Sequence, residues 1–325
     1  MKKSDQIYPK FYSVKDFFYF LRRNLLSFIL YILYFILLLS LPGQNYYQTL
    51  TFASQKPLVR EVSISYLPPA PYPILTGSYP KDLSAQGIVV MDIPSGTLLF
   101  GKNTGLSLTP ASTTKIMTAI ITLENYQLDQ LITIKNIKTE GVNMGLTIGD
   151  RLTVENLLYG LLVSSGNDTA FVLADNYPGG YEQFINSMNK KAKELNMQNT
   201  HFNNVSGLEE YDHYTTALDL ARLTTYALRN PVFTKIVSIP EITVSNYNFT
   251  KWYQLKNINK LLGEIPGVSG VKTGYTDEAG ECLVTTVNRT DKKILTVVLK
   301  SKDRFGETAY LIDWVFKSFR WEEIR

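Results

Sequence analysis

Residues 82–325 have strand-like segments near both ends and helix-like segments between them. Of the features of the sequence, this order of segments restricts the possible folds most strongly. GIVVMD at 87–92 and TLLFGK at 97–102 flank a Pro94–Gly96 turn and predict a β-hairpin. Helical spacing of apolar residues follows over 112–125, 154–163, 167–175, 180–195 and 216–228. Further strands are predicted at 270–273, 281–288 and 293–300, and a further helix at 307–319. The order predicts an α+β fold: an antiparallel sheet with its first hairpin beside its last strands, and an inserted helical lobe.

The N-terminal residues differ from the rest in charge and hydropathy. Residues 1–24 form a basic arm whose six lysines and arginines and two aspartates account for the net charge of +4 and the pI near 8.8. The rest of the chain is therefore neutral overall, so the basic pI does not indicate a nucleic-acid-binding protein. Leu25 to Leu41 is a run of 17 uncharged, mostly apolar residues, about 25 Å long as a helix.

We predict that residues 25–42 are a transmembrane signal anchor, because basic residues precede the apolar run and no A-x-A cleavage site follows it. The N-terminus would then be cytoplasmic, and the protein would cross the cell membrane once. The alternative is a cleaved signal peptide and a secreted protein. In both cases the chain after Pro42 lies outside the cytoplasm.

Residues 43–81 have the composition of a tether. Five of the 14 prolines fall within 67–80, a density that favours extended polyproline II. We therefore predict an extracytoplasmic linker over 43–81 and one catalytic domain over 82–325. Cys282 is the only cysteine, so the domain is stable without an internal disulfide, and the two separated histidines do not suggest a metal site. No cofactor is expected.

Three short motifs carry the candidate chemistry. Ser-x-x-Lys occurs at four positions, and only the match in PASTTKIMTA, Ser112–Lys115, opens a helix after a hairpin. Ser165-Gly166-Asn167 follows about 50 residues later, and Lys272-Thr273-Gly274 about 100 residues after that. The order and spacing are far more specific than any single motif. Taken alone, Ser112 could be only a helix N-cap.

PASTTKIMTA, SSGNDTA and GVKTGYTDEAG resemble the three motifs of the D-alanyl-D-alanine carboxypeptidases, the low-molecular-weight penicillin-binding proteins. MDIPSGTLLFGKN, THFNNVSGL and LKNINKLL are similar to further stretches of that family, and the resemblance covers residues 82–325. It implies a β-lactamase/D,D-peptidase-like fold, peptidoglycan stem peptides as substrate and β-lactams as covalent inhibitors. One departure is Leu218, where relatives often have arginine.

The resemblance implies a role for each catalytic residue, and the chemistry explains the residue types. A serine hydroxyl needs a base to become a nucleophile, and Lys115 lies one helical turn after Ser112. Lys115 must be neutral to accept the proton, and Lys272 would lower its pKa as a second cation. Ser165 would relay a proton to the leaving amine. Asn167 would orient Lys115 and the substrate amide.

The same resemblance implies how substrate is bound. The backbone N–H groups of Ser112 and Tyr275 would form the oxyanion hole. Thr273 would hydrogen-bond the terminal carboxylate, and Gly274 would leave room for a substrate backbone antiparallel to its strand.

Three other functions remain open at this stage. A D,D-endopeptidase that cuts peptidoglycan cross-links would use the same residues. A β-lactamase of this fold typically needs a glutamate in an E-x-x-L-N loop, which is missing between Asn167 and Lys272. A non-catalytic penicillin sensor or wall-binding domain would suit a membrane tether, but the predicted cytoplasmic arm of 24 residues is too short for an output domain.

Overall fold

The computed structural model describes residues 13–40 and 70–323, which fall in two units. The first unit holds helices α1 (Val14–Arg23) and α2 (Leu25–Ser40). No helix in these described ranges is long and apolar enough to cross a membrane. The transmembrane anchor predicted over 25–42 is therefore not supported in the described part of that range, where α2 has 16 residues. The predictions for residues 1–12 and 43–69 fall outside the described residues.

The second unit combines strands and helices. Its strands are β1 (Tyr72–Leu75), β2 (Gly87–Asp92), β3 (Leu98–Lys102), β4 (Leu131–Thr133), β5 (Arg151–Thr153), β6 (Glu241–Ser245), β7 (Trp252–Lys256), β8 (Val268–Thr276), β9 (Gly280–Arg289), β10 (Lys292–Ser301) and β11 (Phe319–Glu322). Its helices are α3 (Lys115–Asn125), α4 (Val154–Leu162), α5 (Asn167–Asp175), α6 (Gly180–Glu194), α7 (Ala217–Ala227), α8 (Pro231–Val237) and α9 (Arg304–Ser318).

A five-stranded antiparallel sheet in the order β3-β2-β10-β9-β8 organises this unit. The predicted α+β fold is confirmed, since β2 of the first hairpin pairs with β10 near the other end of the domain. Alternate residues of β2 enter different cores: Val89 packs with the helical lobe, whereas Ile88 and Val90 pack with α9. The sheet is thus buried on both faces, and α3 to α8 form the inserted lobe on one of them.

The end of the predicted linker belongs to the folded domain. β1 pairs antiparallel with β11, with Ile74 opposite Arg320. Thr76 N–H donates to the carbonyl of Ser318 at 2.8 Å, and Trp314 Nε1 donates to the carbonyl of Ser78 at 2.7 Å. The boundary expected at residue 82 is therefore corrected for residues 70–81. Proline is compatible with an edge strand, and among the described residues β1 pairs with β11 alone.

Short elements account for the other differences from the predicted pattern. The hairpins β4–β5 and β6–β7 and the seven-residue helix α8 have too few residues to show a periodicity. The helix predicted to begin at Ser112 begins instead with a 3-10 turn over Ala111–Thr114, which passes directly into α3.

Gly77 tests whether residues 70–81 belong to the domain. A Cβ at Gly77 would lie 2.8 Å from Ser318 Oγ, whereas one at Gly105 would meet nothing within 4 Å. Gly77→Ala should lower the free energy of unfolding by about 1–3 kcal/mol through overpacking, and Gly105→Ala should change it by less than about 1 kcal/mol. Urea unfolding of both variants measures the difference. Equal effects would mean that the segment does not pack in solution.

Candidate active site

Ser112 lies at the start of the helical lobe, within the 3-10 turn before α3. Its hydroxyl does not cap the helix: the capping positions are Pro110 and Thr114, and neither has a side-chain capping bond. Ala111 has φ of 48°, a left-handed conformation that turns the chain sharply just before Ser112. The side chain is therefore free for another role, and Ser112 is half-buried at the edge of the site.

Lys115 is fully buried, and its amine has three hydrogen-bonding neighbours. Nζ lies 2.9 Å from Ser112 Oγ, 2.6 Å from Asn167 Oδ1 and 2.7 Å from the carbonyl oxygen of Ser206. The last two atoms can only accept hydrogen bonds. A neutral amine that donates its two N–H groups to them keeps its lone pair for the hydroxyl of Ser112. The three neighbours thus fit a base aimed at Ser112.

Ser165 and Asn167 are fixed where the chain turns into α5. Ser165 has φ of 62°, and the amide of Asn167 is oriented because its Nδ2 donates to the carbonyl of Glu140 at 2.7 Å. The neighbouring Asp168 carboxylate accepts from the backbone N–H groups of residues 144, 145 and 146 at 2.8–3.0 Å. These bonds hold the 140–146 loop against the start of α5. They thereby fix the amide of Asn167, whose Oδ1 atom faces Lys115.

Lys272 enters the site from β8 at the edge of the sheet. Its amine donates to Ser165 Oγ at 2.8 Å and to the carbonyl of Thr273 at 3.0 Å. Two residues later the strand passes close to the turn that carries Ser112, because a Cβ at Gly274 would lie 2.9 Å from Ala111 Cβ and 3.0 Å from Ser112 N. Only glycine permits this approach, and it brings β8 beside the backbone N–H of Ser112.

Both lysines are buried in a way that favours the neutral amine. Desolvation first, and then the charge of Lys272, lower the pKa of Lys115 well below its usual range, although Asp168 opposes the shift. Desolvation and then the charge of Arg304 lower the pKa of Lys272 to about 7. At neutral pH the site therefore holds an unprotonated amine next to a serine hydroxyl.

The structure brings the sequence-predicted residues together at the junction of β8 with the starts of α3 and α5. Thr273 is buried beside Lys272, and Tyr275 is 58% exposed at the rim. Two of the other three Ser-x-x-Lys serines bond elsewhere: Ser187 contacts Tyr177 on the helical lobe, and Ser269 bonds Thr286 within the sheet.

Two contributors were not found from the sequence. The first is the main-chain carbonyl of Ser206, which no side-chain motif can signal. The second is Arg304 at the start of α9, which donates to the carbonyl of Gly274 at 2.6 Å. Its buried Nε has no hydrogen-bond partner among the described residues. Leu218, where relatives often have arginine, lies on α7 and packs on the lobe core.

Comparison with known proteins agrees with this geometry. The sequence model of the D-alanyl-D-alanine carboxypeptidase family matches residues 75–303. The chain is 34% identical to D-alanyl-D-alanine carboxypeptidase DacF of Bacillus subtilis (strain 168) over 245 residues, 72% of this chain and 63% of DacF. It is 33% identical to a D-alanyl-D-alanine endopeptidase of Pseudomonas aeruginosa over 242 residues, 72% of this chain and 76% of that protein.

A solved structure is also similar. The Streptomyces K15 DD-transpeptidase superposes with a TM-score of 0.70 at 32% identity, over 74% of this chain and all of that one. This chain spans less than two thirds of the length of DacF, whereas it covers the whole of the Streptomyces K15 chain.

The lowered pKa of Lys272 predicts how stability depends on pH. Between its folded pKa of about 7 and the ordinary value of 10.5, the unfolded chain holds a proton that the folded chain lacks. The free energy of unfolding therefore rises with pH in this window, by up to about 1.4 kcal/mol per pH unit for one proton. Lys272→Met should remove that contribution, as urea unfolding between pH 7.5 and 9 would measure. An unchanged slope would contradict the assignment. In Arg304→Gln the pKa of Lys272 in the folded protein should rise, because the neighbouring positive charge is removed. The pH range in which stability rises would then be narrower.

Proposed function

The chain belongs to the D-alanyl-D-alanine carboxypeptidase family, and on this premise we propose that it removes the terminal D-alanine from peptidoglycan stem peptides through an acyl-enzyme on Ser112. The observation that carries the proposal is the buried Lys115 amine, which has two fixed acceptors and a lone pair left for Ser112 Oγ. A serine without such a base is a weak nucleophile. β-Lactams, which are acylating agents, would react with the same hydroxyl.

In the first half of the reaction, Ser112 Oγ attacks the carbonyl carbon of the penultimate D-alanine while its proton passes to Lys115 Nζ. The C–N bond then breaks as a proton is delivered to the leaving amine through Ser165, whose hydroxyl is held by the Lys272 amine. Free D-alanine departs, and the peptide remains as an ester on Ser112. Water hydrolyses the ester in the second half, and the proton that it loses returns to Ser112 Oγ.

Substrate would lie along β8. The N–H groups of Ser112 and Tyr275 would stabilise the oxyanion, each being a backbone donor on a rigid element. The terminal carboxylate would bind Thr273, and Arg304 is well suited to assist because its Nε is buried and unpaired among the described residues.

A D,D-endopeptidase is a second candidate, favoured by the 33% identity to the endopeptidase of Pseudomonas aeruginosa. It would cleave the same type of bond in a cross-linked peptide. Digestion of purified peptidoglycan separates the two: a carboxypeptidase shortens pentapeptides by one residue, whereas an endopeptidase converts dimeric muropeptides to monomers.

We also propose that the domain acts outside the cytoplasm, where the cell-wall polymer is located. The basic residues 1–24 followed by an uncharged apolar run support this orientation. Protease treatment of intact spheroplasts would test it, because a domain inside the cytoplasm would be protected.

Labelled penicillin tests the nucleophile. We expect one label per chain on Ser112, identified by peptide mapping, and release of D-alanine from a peptide that ends in D-Ala–D-Ala. Ser112→Ala should lose the label and nearly all activity, on the order of a 10⁴-fold or greater loss.

Ser187→Ala is the matched control, since Ser187 also lies in a Ser-x-x-Lys match but bonds to Tyr177 on the lobe. It should keep both label and activity. Label on another residue, or rapid turnover of penicillin typical of a β-lactamase, would overturn the proposal. A labelled protein that never releases D-alanine would indicate a penicillin sensor instead.

A further inference from the structure

His213 is buried near the catalytic serine but has no contact with Ser112, Lys115 or Lys272 in the described part of the chain. Its Nδ1 accepts hydrogen bonds from the backbone N–H groups of Asn203 at 3.0 Å and Asn204 at 3.3 Å. Because Nδ1 accepts, the proton of the neutral ring is on Nε2.

Burial, and to a smaller extent nearby His201, lower the pKa of His213 to about 4, so the ring is neutral at neutral pH. Nε2 lies 2.9 Å from Thr114 Oγ1 and donates to it. The two ring nitrogens therefore join the chain at residues 203–204 to the turn that carries the nucleophile.

The loop that His213 holds is the one that aims Lys115. Asn204 Oδ1 accepts from the backbone N–H groups of Ser206 at 3.1 Å and Gly207 at 2.7 Å. The carbonyl of Ser206 then accepts from Lys115 Nζ at 2.7 Å. The opposite end of the loop packs tightly, since a Cβ at Gly207 would lie 1.8 Å from the carbonyl oxygen of Ala111.

Two routes thus lead from the imidazole to the base. One runs through the Asn204 side chain to the Ser206 carbonyl, and the other through Thr114 to the residue that directly follows it, Lys115. A shift of that carbonyl would free one N–H of the Lys115 amine, and the lone pair would no longer be directed at Ser112 Oγ.

We propose that His213 is a positioning residue for acylation: as a neutral imidazole it clamps the 203–207 loop to the nucleophile turn and thereby orients Lys115. The proposal rests on the proposed function, because it concerns the base that activates Ser112 for acylation. The expected loss is in the rate of the chemical step, since a displacement of reacting groups by about 1 Å can cost on the order of 100-fold.

The test is the acylation of the full chain by labelled penicillin, followed to saturation. His213→Ala should slow acylation at saturating penicillin by about 10- to 100-fold, while the final label stays at one per chain. Stoichiometry measures the folded fraction and the rate measures positioning, so a variant that merely unfolds would lower the first. His213→Asn keeps an acceptor for the loop N–H groups and should recover part of the rate.

Thr114→Val tests the second route, because it removes the acceptor of the Nε2 proton. Its effect on the acylation rate should resemble that of His213→Asn. The double variant Thr114→Val/His213→Asn should acylate no more slowly than either single variant, as expected for two partners in one contact. His201→Ala is the matched control: this half-exposed histidine bonds the carbonyl of Asp212 at 2.7 Å. It should acylate at the wild-type rate.

The outcomes separate the two proposals. If wild-type protein is not labelled on Ser112, the proposed function fails. If wild-type protein is labelled but His213→Ala acylates equally fast, or loses only stoichiometry, the positioning role of His213 is overturned. Additive effects of Thr114→Val and His213→Asn would overturn the Thr114 route.

Discussion

The site depends on a neutral amine held inside the protein. Charging an amine that is fully buried is costly, and at Lys115 a neighbouring lysine adds to that cost. The same burial would be harmful if the amine lacked partners. Here Asn167 Oδ1 and the Ser206 carbonyl accept hydrogen bonds from its two N–H groups. The arrangement that stabilises the buried amine is therefore also the reactive one: an uncharged nitrogen whose lone pair faces a serine hydroxyl.

The groups around this amine come from parts of the chain that are far apart, and the contact of sheet and lobe unites them. β8 passes beside the Ser112 turn because residue 274 has no side chain. The same strand carries Lys272, which holds Ser165, and the adjacent start of α9 carries Arg304. The lobe and α9 are each secured by a buried core on their own side of the sheet, and β8 contributes to both cores. This packing explains how a precise site can lie at their junction.

Much of the fold could be predicted from the sequence because its long elements are strongly periodic. The first hairpin, helices α3 to α7 of the lobe and the last three strands of the sheet lie within a few residues of their predicted positions. β1 was missed because Pro73 and the prolines on either side of the strand suggested a tether, although an edge strand tolerates proline. The membrane span predicted from the apolar run has no counterpart among the described helices, the longest candidate of the first unit having 16 residues.

The sequence alone determined which side chains are candidates for the chemistry, because the order and spacing of Ser112–Lys115, Ser165-Gly166-Asn167 and Lys272-Thr273-Gly274 can be read along the chain. Only the tertiary structure decided how these groups are aimed. The Ser206 carbonyl, the Arg304 Nε that has no partner in the described part of the chain, and the two-sided contact of His213 belong to no motif. A backbone atom has no residue type, and a contact between residues 99 positions apart has no local period. The direction of a lone pair depends on three neighbours that meet only when the chain has folded.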